Sequence, residues 1–384
     1  MWEEYSEREC VCALNRIFGF KPGKAIALIK ALGSAKAVFK ADKNGIDRVV
    51  GPFCREAALI RREELEKTRK ELDGYDKKEY HFVTFEDDCY PSLLRECEDH
   101  PVGLYVRSKT PVSEIFNQKK SIAIVGTRDI SPYGMEWCRK IVGMISKSSE
   151  KPLIVSGLAL GTDITAQECA LKCGLPTVSV MATGIDDVYP YRHTGFALKT
   201  VGKTGCALVT DYPTATSPAA FNFLRRNRII AGMCAATILV ESKIRGGGMM
   251  TANLAFNYGR DVFTLPGRVD DPRSQGCNLL IRRQVASPIT DLESLSESLG
   301  LSGNGAMESE SLEEAVRRKY SVDPLREDIL EITTAISTHK ACTLDELCEM
   351  TGKPYQRIAE ITNILECDGF IRIDLMQRCC VIKT

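Results

Sequence analysis

The sequence of 384 residues has no apolar run long enough to cross a bilayer. The longest, Ile229 to Val240, falls well short of the roughly 18 to 20 residues that a spanning helix needs. It has no net charge either, with 51 Lys plus Arg facing 51 Asp plus Glu, so neither a basic coat nor an acidic solvating chain describes the whole molecule. Histidine is scarce, with four in all, and no Cys-x-x-Cys pair occurs among the 16 cysteines. Tetrahedral zinc, whose ligands usually arrive as closely spaced pairs, is therefore not expected, and no metal is assigned. The cysteines stand singly in apolar surroundings, apart from Cys10/Cys12, Cys169/Cys173 and Cys379/Cys380, and read as buried reduced thiols. The opening residues, MWEEYSEREC, are acidic where a secretory signal carries Lys or Arg before an apolar stretch, so a cytoplasmic protein without a membrane segment is expected.

What is present is ample core material: 44% apolar and 27% charged residues over a length that suggests two or three domains. Residues 1–75 show apolar residues at helical spacing, in Cys10, Leu14, Ile17 and again in Ala25, Leu28, Ile29, Leu32. Between these runs, IFGFKPGKA resembles a helix-hairpin-helix element with Lys21 in place of one turn glycine. This reading leaves open a helical interaction domain or a direct contact with DNA. Residues 299–320 read as a linker, because GLSGNGAMESESLEE combines Gly, Ser and Glu with few apolar residues. Beyond it, residues 321–384 are acidic. Pro324 is expected to open a helix to Thr338, Thr343 to cap a second through Met350, and Pro354 to start a third through Glu366. Two short strands in FIRIDLMQRCCVI would complete a winged helix. Its third helix sets Arg357 against Glu360 and Glu366, a balance that favours docking to protein over gripping phosphate.

The stretch 76–298 alternates short β-rich runs with helical ones. Strands are expected at Ser121 to Val125, Leu153 to Ser156, Thr177 to Met181, Ala207 to Thr210, Thr237 to Glu241 and Asp261 to Leu265, with edge strands in HFVTFEDDCYPSLL and VGLYVRS. Runs that are continuously apolar fit strands covered on both faces, so the expected fold class is α/β, a doubly wound, mostly parallel sheet. In such sheets ligands bind beyond the carboxyl ends of the strands. The loops there are GTRDISPYG, with Gly126 and Arg128; SGLALGTD, with Gly157, Gly161 and Thr162; and ESKIRGGGMMTA, with Arg245 ahead of Gly246, Gly247 and Gly248. Glycine loops leading into helix amino termini make anion cradles. FNFLRRNRIIAG adds Arg225, Arg226 and Arg228 beside Phe221 and Phe223, the mixture that holds single strands by charge and stacking. Tyr189, Tyr191 and Tyr212 also follow strands.

Several enzymatic readings fail on spacing. VGKTG at 201–205 would need a glycine where Ala197 stands to form a phosphate-binding P-loop. No G-x-G-x-x-G follows the first strand, so no dinucleotide cofactor is expected. No Ser or Cys nucleophile has an evident His partner, His193 reads as structural, and Asp163, Asp186, Asp187, Asp211 and Glu241 are expected to cap helices and orient arginines. No catalytic residue is assigned.

The ordered strings IAIVGTRDISPYG, IVSGLALGTDITA, GIDDVYP, TDYP, FLRRNRIIAGM, VESKIRGGGMMTA, FTLPG and GCNLLI resemble the DNA-processing protein A family, also called Smf. The likeness covers roughly Tyr90 to Ser298. It implies an extended Rossmann-like domain that binds single-stranded DNA, forms a homodimer and helps load the recombinase RecA on incoming strands in natural transformation, without catalysis. Its motifs would place the DNA pocket at Arg128, the turn from Gly157 to Asp163, Phe223, Arg226, Asn227, Arg228 and the loop from Arg245 to Gly248. The chain departs from the family pattern at Gln167, where a His is common, at the glycine loop, which lacks the family's serines, at Leu224 for a Pro, and at Gln284-Val285 for Gly-Ala. A nucleotide phosphoribohydrolase of related fold is the enzymatic alternative, but its P-G-G-x-G-T motif is missing from RGGGMMTA and LPGRVD. A winged-helix regulator of duplex DNA is the other.

Overall fold

The computed structural model describes residues 4–75, 78–116, 120–301, 316–317, 319–320, 325–339, 341–368, 370–373 and 378–381. The chain divides into two compact units, residues 1–303 and 304–384.

The first unit opens with helices α1 (Glu7–Phe18), α2 (Pro22–Leu32), α3 (Ala35–Lys40), α4 (Lys43–Val50) and α5 (Arg62–Leu72). Ser6 starts α1 with a reciprocal capping box to Glu9, which satisfies amides that the first turn leaves bare. The strands are β1 (Tyr80–Thr84), β2 (Gly103–Arg107), β3 (Ser121–Val125), β4 (Leu153–Ser156), β5 (Thr177–Val180), β6 (Ala207–Thr210), β7 (Ala236–Leu239), β8 (Asp261–Thr264) and β9 (Ser287–Pro288). Between them run α6 (Ser92–Arg95), α7 (Val112–Phe116), α8 (Pro132–Ile145), α9 (Thr162–Lys172), α10 (Thr194–Val201), α11 (Ala220–Gly232), α12 (Gly247–Asn257) and α13 (Pro272–Arg282), and α14 (Leu292–Ser298) closes the unit.

The nine strands form one sheet in the order β1-β2-β6-β5-β4-β3-β7-β8-β9. Pairing is parallel from β6 to β9 and antiparallel only at the β1-β2 and β2-β6 edge. This is the α/β, mostly parallel sheet expected. β5, β7 and β8 end before Met181, Glu241 and Leu265, because these residues already turn into the loops above the sheet.

Alternate residues of each strand face opposite layers. Ala123 and Val125 join Val178, Val209, Ile230 and Ala252 in a core under α11, α12 and α13. Ile122 and Ile124 point the other way, to Ile141, Ala166 and Leu295 on α8, α9 and α14. The rest of that second face, at the β1-β2-β6-β5 end, is covered by the front helices: Leu14, Phe18, Leu28 and Leu65 share one cluster with Phe82, Tyr105, Met181 and Leu208. A boundary at residue 75 marks a change of sequence texture, yet the apolar core runs straight across it.

The second unit contains helices Arg326–His339, Leu344–Thr351 and Tyr355–Cys367. A small antiparallel sheet accompanies them, with β12 (Arg378–Val381) between β10 (Ala341–Thr343) and β11 (Ile371–Ile373). Thr343 and Glu346 form the capping box of its second helix. Pro324, Gly369 and most of the expected linker, 302–315, lie outside the described residues.

Candidate functional site

Strand order reverses on either side of β3: the chain steps from β3 to β4, β5 and β6 one way, then resumes at β7 on the other flank. Loops after β3 and β7 therefore diverge and leave a crevice at the carboxyl edge of the sheet. A cleft of about 740 Å³ sits there, walled by the β3-α8 loop, the first turns of α11 and the glycine loop that enters α12.

The β3-α8 loop is fixed from below. Thr127 donates its amide to Glu241 O at 2.8 Å, and its carbonyl accepts from the Thr162 amide at 3.1 Å and from Thr162 Oγ1 at 3.2 Å. The Glu241 carboxylate receives both the amide and the hydroxyl of Ser131. Arg128 is thereby carried out over the opening, exposed, with its guanidinium 5.2 Å from the centre of the Phe223 ring. Tyr189 tilts against Phe223, at 5.4 Å between centroids. Cation and rings together form a wall suited to a flat aromatic partner.

The floor is Arg226, 4% exposed, whose Nη1 donates to Gly157 O at 2.7 Å and to Val180 O. Its Nε has no partner. Burial pushes this guanidinium down to about 10, while nearby Asp163 counteracts and Arg128 adds to the fall. Asp163, buried beside it, is raised by desolvation, against the stabilising pull of Arg226 and of its bonds with the Ala159 and Gly157 amides. A methyl group on Gly157 would lie 2.5 Å from Arg226 Nη1, so any side chain there would force the buried guanidinium out of its place. Gly161 has φ +76°, and a Cβ there would stand 2.4 Å from Thr127 O.

The third wall is Gly246, Gly247 and Gly248. Gly246 caps α12 with no side-chain bond, which leaves the first-turn amides turned to the cleft, while Asn227 Nδ2 reaches Gly247 O at 3.5 Å. Exposed Lys243 and Arg245 stand on the same loop. The site can hold an anion on backbone N–H groups and the helix dipole, with exposed cations at its rim and a flat ring against Phe223.

Of the residues singled out in the sequence, Gly126, Arg128, Phe223, Arg226, Asn227, Arg245, Gly246, Gly247 and Gly248 line this cleft together. Gly157, Gly161 and Thr162 do not line it and instead shape the loop beneath. Arg228 is elsewhere. It is buried, donating to Asp211 Oδ2 at 2.6 Å and to Asp99 O, and Arg225 shares the same Oδ2 at 2.7 Å. The helical period explains the split: positions 223, 226, 227 and 230 share one face of α11, whereas 221, 225 and 228 lie opposite. Lys243 and Tyr189 were not among the assigned residues, and Lys243 had a signal, its place two positions before Arg245 on the same loop. His193 is structural, bonding Leu158 O through Nδ1 at 2.8 Å. Desolvation pushes the thiols of Cys10 and Cys138 up to about 12, which removes them as nucleophiles. Among the described residues no group of His, Cys, Asp and Glu could hold a metal ion, and no helix is long and apolar enough to cross a membrane.

Residues 81–300 match the model of the family described as DNA recombination-mediator protein A. Protein Smf of Escherichia coli (strain K12) is 34% identical over 220 residues, 57% of this chain and 57% of the relative, so the match spans little more than half of that protein. The solved structure of DNA processing protein A from Streptococcus pneumoniae superposes with a TM-score of 0.64 at 28% identity, covering 76% of this chain and 98% of the other. DNA processing protein A from Helicobacter pylori, described for its single-stranded DNA binding mode, gives a TM-score of 0.51 at 27% identity over 57% of this chain and 95% of the other.

Proposed function

Because the chain belongs to the DNA recombination-mediator protein A family, we propose that it binds single-stranded DNA in the cleft at the carboxyl edge of the sheet. The observation that carries this reading is convergence: Arg128, Lys243 and Arg245, the amides of the glycine loop and the Phe223-Tyr189 rings open onto one cavity. Amides and cations suit a phosphate, and the rings suit an unstacked base. Duplex DNA buries its bases and gains nothing from the rings.

Binding, with no chemical step, is the role proposed. The carboxylates nearest the cleft are engaged, Asp163 with the Gly157 and Ala159 amides and Glu241 with Ser131, which supports holding a polyanion over hydrolysing it. The family relation further leads us to propose RecA as the protein to which the strand is handed, a homodimer as the working form, and natural transformation or recombination as the setting. We read the second unit as a winged helix for protein docking. In support, Lys353 pairs with Asp328 and Glu331, and Arg357 with Asp328 and Glu360, so these cations are already spent within the unit.

The test is a salt-titrated comparison of single-stranded and duplex oligonucleotides on the full chain. Single strands should bind more tightly, with little dependence on sequence and a steep loss of affinity as salt rises. Equal or tighter binding to duplex would overturn the assignment. So would release of free base from AMP, which would favour a phosphoribohydrolase.

A further inference from the structure

The aromatic and arginine residues of α11 continue past the cleft, around the helix and onto the front helices. Phe221, 61% exposed, lies on the face of α11 opposite Phe223, and exposed Leu224 bridges the two faces. Phe20, in the turn between α1 and α2, is 60% exposed and tilts over Phe221 at 5.7 Å between centroids. Its ring is held from beneath: the Arg225 guanidinium is 4.7 Å from the Phe20 centroid and 5.2 Å from that of Tyr212. Arg225 is itself anchored on the buried Asp211 carboxylate at 2.7 Å.

A lone exposed phenylalanine needs no explanation. Here the Phe20 ring rests on an arginine anchored to a buried carboxylate and packs against Phe221, and both rings still present their surfaces to solvent beside the helix that walls the cleft. A cavity of about 740 Å³ is within the ~300 to 1,000 Å³ range of small-ligand sites, so it holds a short stretch of a polymer and the remainder must leave over its rim. Lys21 and Lys24 follow Phe20 at the start of α2, beside the loop that carries Phe53, which is 95% exposed. Both lysines are engaged within the front helices, Lys21 with Glu56 at 2.5 Å and Lys24 with Cys54 Sγ at 3.3 Å, so the exposed rings, and not free cations, mark this surface.

We propose that Phe20 and Phe221 form a second stacking platform, on which bases of a single strand lie after passing over Leu224 out of the cleft. The front helices thereby contribute directly to the nucleic-acid track. This inference rests on the reading of the cleft as a single-strand site, and its test separates the two.

Affinity is measured on the full chain for oligothymidylates of about 5 and about 20 nucleotides, one near the lower end and one beyond the upper end of the ~4 to 16 nucleotide footprint of single-strand modules. Phe20→Ala should weaken the long strand about 5- to 150-fold, the loss of one base-stacking contact, and leave the short strand unchanged. Phe20→Trp should restore long-strand affinity, and the fluorescence of the new indole should be quenched by the long strand and not by the short one. Unchanged long-strand affinity in Phe20→Ala overturns the platform while the cleft stands. An equal loss for both lengths also overturns it, since Phe20 would then act on the cleft's shape. Failure of the unaltered protein to bind either length removes the cleft reading itself.

Discussion

Replacing Arg128 by Ala isolates the cleft's rim cation with little disturbance to the fold. Its side chain is exposed and its contact is the Phe223 ring at 5.2 Å, so folding stability should stay within about 0.5 kcal/mol of the unaltered protein. Binding should not. A guanidinium bond to a phosphate oxygen contributes about 1.5 to 3 kcal/mol, which corresponds to a loss of roughly 10- to 150-fold in affinity. Removing one cation that displaces condensed counterions should also flatten the plot of log affinity against log salt by about 0.7. Fluorescence anisotropy of a labelled oligothymidylate at several salt concentrations reads both quantities at once. Arg128→Lys is the informative partner: it keeps the charge and hence the slope, but loses the planar fork and its fit over Phe223, so affinity should fall between the two. An unchanged dissociation constant and slope in Arg128→Ala would refute the reasoning. A loss of affinity matched by a fall in melting temperature would refute it as well, because the residue would then be structural.

Other variants probe the support beneath the cleft. Arg228→Ala leaves the buried Asp211 carboxylate with Arg225 alone, and should cost about 1.5 to 3 kcal/mol of stability in urea denaturation while the folded fraction binds single strands normally. If stability is unaffected, the Asp211 node carries less than its geometry implies. Gly161→Ala forces a side chain into φ +76° against Thr127 O, so about 1 to 3 kcal/mol of stability and much of the single-strand affinity should be lost together. Retention of both would mean that the loop relaxes freely. A chain ending at residue 303, the boundary of the first compact unit, should bind oligothymidylate as the full chain does, and a large drop in anisotropy-measured affinity would assign DNA contact to the second unit.

Much of the site was legible because it depends on local chemistry. The β3 and β4 runs are apolar without interruption, and the loops after them combine glycine with a cation, so both the parallel sheet and the ends that matter follow from short segments. Thr343 and Glu346 likewise announce a helix start within four residues. Direction was harder to read. Three arginines in FLRRNR look alike in sequence, but the helix turns by about 100° per residue, sending Arg226 beneath the cleft and Arg225 and Arg228 to Asp211. Asp211 follows a different strand, and nothing within α11 reveals it as their partner. The merging of the front helices with the sheet was not legible either, since residues such as Leu14 and Leu208 meet only after the chain has folded back over the length between them.

That merging bears on how the molecule can be cut. Asn15 of α1 donates to Asp211 O at 2.9 Å, and Glu71 of α5 accepts from Thr214 at 2.8 Å, so the front helices brace the very segment that anchors Arg225 and Arg228. A fragment starting after residue 75 would bare Tyr105, Met181, Leu208 and Ile185 to water and slacken the arginine anchor in the same stroke. Sticky, poorly binding preparations of such a fragment would therefore report a missing wall of the building, and say little about whether its doorway fits DNA.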